Sequence, residues 1–410
     1  MPELFGRDII AFTYADWNAS WSTPQQIMSR LVPRNRVLYV DQPRSFLYGL
    51  KPADPQGAGT WRGARVQELR PGLFVYHPPH CFLPVGNRLP LALAKRNLGL
   101  NGVLMGALVR RQAKRLGMGR PILWNFSPLH GMAVPRLERA LTIYDICDEW
   151  ANYIEDDAGR GVIRWVEERL CRGADLVFVG TENGKALREG LNSETHVVHH
   201  GADYAHFATA SDPETAVPED LRSLPRPVAG SVGVIDPARF DVELVEMLAR
   251  LCPDWSIVLV GPARAGMDLT RLESCANVYL LGNKDVAELP AYIKGMDVTL
   301  IPYRVNEATR NIYPLKLQEY LATGKPVVSS PMPAVLPYGE VVYIGEGPED
   351  WAGLVVRASR EDNPERRAAR QAVARENSWD RRVEEKAGHV LRLLEAKGST
   401  RERQSHDRRH

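Results

Sequence analysis

Short β-branched apolar runs, separated by helix-like stretches, recur along this chain, and that alternation narrows what it can fold into. The runs are Asp8–Tyr14, Arg36–Val40, Leu73–Tyr76, Ile122–Trp124, Leu141–Ile146, Asp175–Gly180 and His196–His199. They resume at Val228–Val234, Ser256–Val260, Val278–Leu281, Val298–Pro302, Pro326–Ser329 and Val341–Ile344. Strands that are apolar along their whole length are buried on both faces, as parallel strands under helices are. The intervening stretches supply those helices. Asp241 is placed to cap one in which Val242, Val245, Leu248 and Leu251 recur at helical spacing. Between the two sets of runs lies Tyr204–Pro227, rich in Pro, Asp, Ser and Ala and without strand pattern. The expected class is α/β, with two doubly wound domains in tandem. Residues 1–205 form the first, 206–227 a linker and 228–376 the second, while 398–410 form a disordered tail. Ligands of such domains bind at the carboxyl ends of the strands, so the expected site is a cleft between them.

Composition removes several function classes. Hydrophobic residues make up 44% and charged residues 25% of the 410, a soluble globular profile. No run approaches the ~18 apolar residues of a membrane span. The start, Met-Pro-Glu-Leu-Phe-Gly-Arg-Asp, has no basic region followed by an apolar one, so no secretory signal is expected. A net charge of +2, from 52 basic and 50 acidic residues, argues against a nucleic-acid partner. Cys81, Cys147, Cys171, Cys252 and Cys275 are scattered, with no Cys-x-x-Cys, so reduced thiols in a cytoplasmic protein are expected. One segment is unusual: Arg88–Arg120 holds eight Lys/Arg, no Asp or Glu, and many Leu, Val and Met. It reads either as an element attracted to an anionic membrane surface or as a core-facing helix with a basic outer face.

Asn311–Ser330 carries the clearest local logic. Pro314 suits the first position of a helix and Gly324 the position just past its end. The amides of Leu315 and Lys316 then lack intrahelical partners and form an anion site, to which Lys316 adds a mobile positive charge. Glu319 sits one turn on, where it would meet a ribose if a diphosphate occupied the helix start. An ordinary amphipathic helix with a surface Lys–Glu pair would use the same residues.

The segment PLKLQEYLATGKPVVSS resembles the donor-nucleotide motif of GT-B glycosyltransferases, particularly the family 4-like enzymes (glycosyl transferases group 1). The resemblance implies two Rossmann-like domains facing across a cleft, and a nucleotide-sugar donor, UDP-sugar by family frequency, with no cofactor. Glu319 holds the ribose position and Leu315 and Lys316 the phosphate position. Asn311 stands where the family's motif has its first glutamate. Ser231–Arg239 is similar to the first strand and loop of the donor domain, with Gly233 kept and Arg239 at a lysine position; an arginine can grip a diphosphate bidentately. Val278–Gly282 and Val298–Tyr303 look like the strands whose ends, at Leu281, Gly282 and Tyr303, hold base and sugar. Val197–Asp203 resembles the segment closing the first domain, with His200 in place of an asparagine. Glu376-Asn-Ser-Trp379 resembles the start of a final helix, 377–397, that crosses back to the first domain.

A transferase must also activate an acceptor hydroxyl. No Asp-x-Asp triplet is present, so no metal is expected, and an inverting reaction needs a carboxylate base. Thr142–Trp150 ends an apolar run and turns acidic with Asp145, Asp148 and Glu149. It is similar to the strand-end segment of the xanthan glucuronosyltransferase, which puts the base at Asp148; a helix N-cap would use the same aspartate. Inversion is favoured over retention. Trp17, Asn18 and Trp21, after the first run, suit the acceptor side by sugar stacking, or Trp17 and Trp21 simply pack. Asn125 and His130 are further acceptor-side candidates. The expected acceptor is a lipid-linked or polysaccharide glycan in cell-envelope or exopolysaccharide synthesis, met on the inner face of the cell membrane. A nucleotide-sugar 2-epimerase and a non-catalytic scaffold share the fold and remain alternatives.

Overall fold

Every apolar run singled out above is a strand in the computed structural model, which describes residues 4–19, 21–47, 63–85, 89–154, 156–310 and 312–407. The chain divides into two units, Met1–Val198 with Val383–His410, and His199–Arg382. Unit 1 contains β1 (Asp8–Phe12), β2 (Arg36–Val40), β3 (Arg65–Arg70), β4 (Leu73–His77), β5 (Ile122–Asn125), β6 (Leu141–Ile146), β7 (Leu176–Val179) and β8 (Thr195–Val197). Their order is β3-β4-β2-β1-β5-β6-β7-β8. All pairs are parallel except β3 with β4. Strand β3, RVQELR, has no apolar run because it lies at the edge with most side chains exposed.

Unit 2 contains β9 (Val228–Val232), β10 (Ser256–Val260), β11 (Val278–Gly282), β12 (Val298–Ile301), β13 (Val327–Ser329) and β14 (Tyr343–Ile344), in the order β11-β10-β9-β12-β13-β14. This sheet is wholly parallel. Alternate residues of β10 show how both faces are covered. Val258 and Val260 join one core with Leu317, Tyr320 and Leu321, and Ile257 and Leu259 join the other with Val245, Leu248 and Trp351. Strand order reverses between β1 and β5 in unit 1 and between β9 and β12 in unit 2. Each reversal opens a crevice at the carboxyl ends of those strands, where such sheets bind ligands.

Two expectations need correction. The segment expected to be a linker belongs to unit 2 and folds into helices Tyr204–Ala208 and Glu219–Arg222, anchored by buried Phe207 and Leu221. Its prolines punctuate short helices rather than free a tether. The unit boundaries fall at Val198/His199 and Arg382/Val383. The final helix, Trp379–Asp407, runs through most of the tail expected to be disordered. Extending an anchored helix adds one hydrogen bond per residue, with no new nucleation cost and no need for apolar residues. From Val383 this helix belongs to unit 1.

Candidate functional site

The crevice of unit 2 is built around three backbone turns. Gly233 follows β9 at φ 119°, Gly261 follows β10 at φ 143°, and Gly282 ends β11 at φ 69°, all in the left-handed region that favours glycine. A Cβ on Gly261 would stand 2.2 Å from the Gly233 carbonyl oxygen, so the two turns touch through bare backbone. The Gly261 amide donates to the Gly282 carbonyl at 2.8 Å and the Gly233 amide to the Val260 carbonyl at 2.8 Å. Gly233 and Gly282 were legible in the motifs. Gly261 was missed, although a Gly-Pro directly after a buried run was its signal.

The helix Leu315–Thr323 starts at this crevice and ends on Gly324, whose φ of 77° closes it. No side chain caps its start at Pro314. The expected mobile Lys316 is corrected: the residue is buried, with Nζ 3.4 Å from Ser231 Oγ and 4.9 Å from the centre of the Tyr303 ring. Its ammonium lies about 3.5 Å from where a Gly233 Cβ would be, which fixes a cation under the β9 turn. Burial works against that charge, but Tyr303, Tyr320 and Glu319 outweigh it and hold the Lys316 pKa above the usual lysine range. Ser231 and Tyr320 were not singled out. The Tyr320 hydroxyl accepts from the Val232 amide at 2.6 Å and so clamps β9 to the helix.

Glu319 is half-buried beside Lys316. Burial pushes its carboxyl up to about 7; Lys316 pulls it down and Asp203 pushes it up. No described residue hydrogen-bonds to it, which marks a carboxylate held for something other than folding. A glutamate with a raised folded pKa binds its proton more tightly folded than unfolded, so stability falls as pH rises from about 4.5 to 7. Glu319→Gln is therefore expected to raise stability at pH 8 by about 2 kcal/mol, with the difference vanishing near pH 4. Urea unfolding at both pH values checks this.

Arg239 is half-buried on the loop after β9, and its carbonyl accepts from the Arg304 amide at 2.8 Å. Leu281 packs partly buried against one core, and Leu315 is exposed. Asn311 lies outside the described residues. Gly233, Lys316, Tyr303 and Glu319 are thus brought together at the strand-order reversal. That arrangement offers glycine backbone, a buried cation and an uncommitted carboxylate in a row.

In unit 1 the acidic cluster after β6 separates into different tasks. Asp145 is buried in an ion pair with Lys386, at 2.8 and 2.7 Å, and accepts from Trp124 Nε1 at 3.0 Å. Glu149 forms a two-pronged pair with Arg188, 2.7 Å on each oxygen. Asp148 is half-buried beside Tyr14, whose ring meets Trp150 edge-on at 4.7 Å. His130, after β5, is buried, with Nε2 3.1 Å from the Thr13 carbonyl; burial pushes its pKa to about 3, so it is neutral. Trp17 is buried edge-on against Tyr39 at 5.0 Å, with its amide on Asp41, so packing is its role. Trp21 is 48% exposed and Asn18 is exposed.

Residues 226–361 match the family Glycosyl transferases group 1. TuaH of Bacillus subtilis (strain 168), named as a teichuronic acid biosynthesis glycosyltransferase, is 28% identical over 257 residues, 58% of this chain. The match spans 64% of that relative's length. Among solved structures, sucrose-phosphate synthase from Thermosynechococcus elongatus has a TM-score of 0.64 at 17% identity, covering 95% of this chain and 100% of its own. The α,α-trehalose 6-phosphate synthase of Burkholderia multivorans has a TM-score of 0.67 at 11% identity, covering 96% and 100%. The likeness over the full length shows that this chain has the GT-B fold, and its β9–β14 unit, residues 226–361, is similar to the glycosyl transferases group 1.

Proposed function

We propose that this protein is a glycosyltransferase that moves a sugar from a nucleoside-diphosphate donor to a hydroxyl of a lipid-linked or polysaccharide glycan in cell-envelope or exopolysaccharide synthesis. The observation that carries the reading is the pairing of buried Lys316 with uncommitted Glu319 beside the Gly233 turn. The departing diphosphate would lie against the Gly233 backbone and the helix start, with Lys316 and Arg239 neutralising its growing charge. The ribose hydroxyls would donate to Glu319. The teichuronic acid name of the relative supports the cell-envelope setting.

On the acceptor side, Asp148 is the base. Asp148 follows β6, half-buried beside Tyr14, while its neighbours Asp145 and Glu149 are held in ion pairs. A carboxylate that takes the acceptor proton suits an inverting reaction. No helix among the described residues is long and apolar enough to cross a membrane. The helix Leu91–Arg115 nonetheless exposes Leu93, Leu100, Val103 and Leu104, followed by Arg110, Arg111, Lys114 and Arg115. We read this stripe as a peripheral contact with anionic lipid on the inner face of the membrane.

Calorimetric titration with UDP, GDP, ADP and dTDP tests the donor reading. UDP heads the panel because a trehalose-6-phosphate protein from E. coli in the same fold was solved bound with UDP-2-fluoro glucose. One nucleotide is expected to bind selectively. Glu319→Ala and Lys316→Ala are each expected to weaken it about 10–100-fold, the range for losing a hydrogen bond to a charged group. Binding of none of the four, or equal binding by both variants, would overturn the donor site.

A further inference from the structure

Unit 1 contains a cavity of about 450 Å³ at the carboxyl end of its sheet, within the size range of small-molecule sites. Its wall is apolar, with Phe82, Leu83, Leu98, Met105, Val162 and Ile163 contributing. Two sides come from the helices Leu91–Arg115 and Asp157–Gly173, and the floor from loops that follow β2, β5 and β6. A wall this apolar suits a hydrocarbon chain better than a polysaccharide. Asn101 is committed through both side-chain atoms to the Leu83 backbone at 2.8 Å. Of the two buried polar side chains in the wall, the other is His130. His130 lines the cavity at 1% exposure, and its buried Nδ1 has no hydrogen-bond partner among the described residues. Because Nε2 faces a carbonyl, Nε2 carries the proton and Nδ1 is a bare acceptor.

We propose that this cavity receives the hydrocarbon chain of a lipid-linked acceptor. The inference rests on the glycosyltransferase reading and narrows its acceptor from glycans in general to those carrying a lipid. The helix Leu91–Arg115 argues for the occupant. Its inner face, Leu98 and Met105, walls the cavity, and its outer face exposes leucines and arginines without a single acid. Were the outer face on an anionic bilayer, a chain leaving that bilayer would have about one helix diameter, ~10 Å, to travel.

The probe is a series of n-hexyl, n-octyl and n-decyl β-D-maltosides, each below its critical micelle concentration, titrated into the full chain beside the responding nucleotide. In the wild type, affinity is expected to rise about tenfold for each added pair of methylenes, as burial of a chain requires. Val162→Trp and Met105→Trp each fill the cavity and are expected to flatten that rise. A wild-type titration without chain-length dependence, with the nucleotide still binding, overturns the lipid acceptor and leaves the transferase reading standing. A rise that both filled variants keep also overturns it, because the chain then binds elsewhere. A rise lost in the variants but with no nucleotide bound removes the donor, and with it the acceptor role proposed for the cavity. The wild-type series keeps the test decisive even if one variant fails to fold.

Discussion

Asp145→Ala is expected to destabilise unit 1 by about 3–5 kcal/mol, the cost of leaving a buried charge without its partner. Lys386 is 3% exposed, sits over the Phe178 ring at 4.3 Å and pairs with Asp145. The pair joins the final helix to β6, with Arg392 on Glu194 and Lys397 on Asp175, at 2.6 and 2.5 Å, as outer, more exposed contacts. Those exposed pairs contribute little each. Lys386→Ala is expected to cost about as much as Asp145→Ala, because among the described residues Asp145 then keeps the Trp124 indole as its side-chain partner. The double variant Asp145→Leu/Lys386→Met is expected to recover most of the loss, since an apolar pair removes both desolvation costs. Urea unfolding of the four proteins, followed by tryptophan fluorescence, measures this. Equal stability of the single variants and the wild type would show that the pair does not hold the helix.

Asp148→Asn is expected to lower kcat by about 10²–10⁴-fold while leaving the nucleotide Kd within a factor of two, because a base acts only when the acceptor proton moves. Asn keeps the size and hydrogen-bonding reach of the side chain and removes its basicity. The measurement is turnover of the nucleotide sugar identified by the titration panel, with the nucleotide Kd determined on the same preparation. Unchanged turnover would remove Asp148 as the base. Equal losses in turnover and nucleotide affinity would point to misfolding around the β6 loop instead.

Local pattern carried far in this protein. The runs from Asp8 to Ile344 are strands because full burial of a parallel strand leaves an unbroken apolar segment, which the eye can find without a structure. Strand β3 escaped because an exposed edge strand has no such segment. The Pro314-to-Gly324 helix was readable because caps and breakers act on their own neighbours. The tail after Gly398 misled because polar composition speaks to core formation and not to whether an anchored helix continues.

Roles that depend on distant partners were a different matter. In the sequence Asp145, Asp148 and Glu149 are equivalent acids within five residues. Asp145 becomes structural through Lys386, 241 positions away, and Glu149 through Arg188, 39 positions away. Lys316 read as a mobile cation, yet it is buried against Ser231 and Tyr303. The strand list, the α/β class and the Lys316–Glu319 spacing were written in the chain, because each follows from residues close in sequence. Burial, ion pairing and the neutral state of His130 were settled by tertiary packing, because desolvation and charge pairing depend on distance in space and not on distance along the chain.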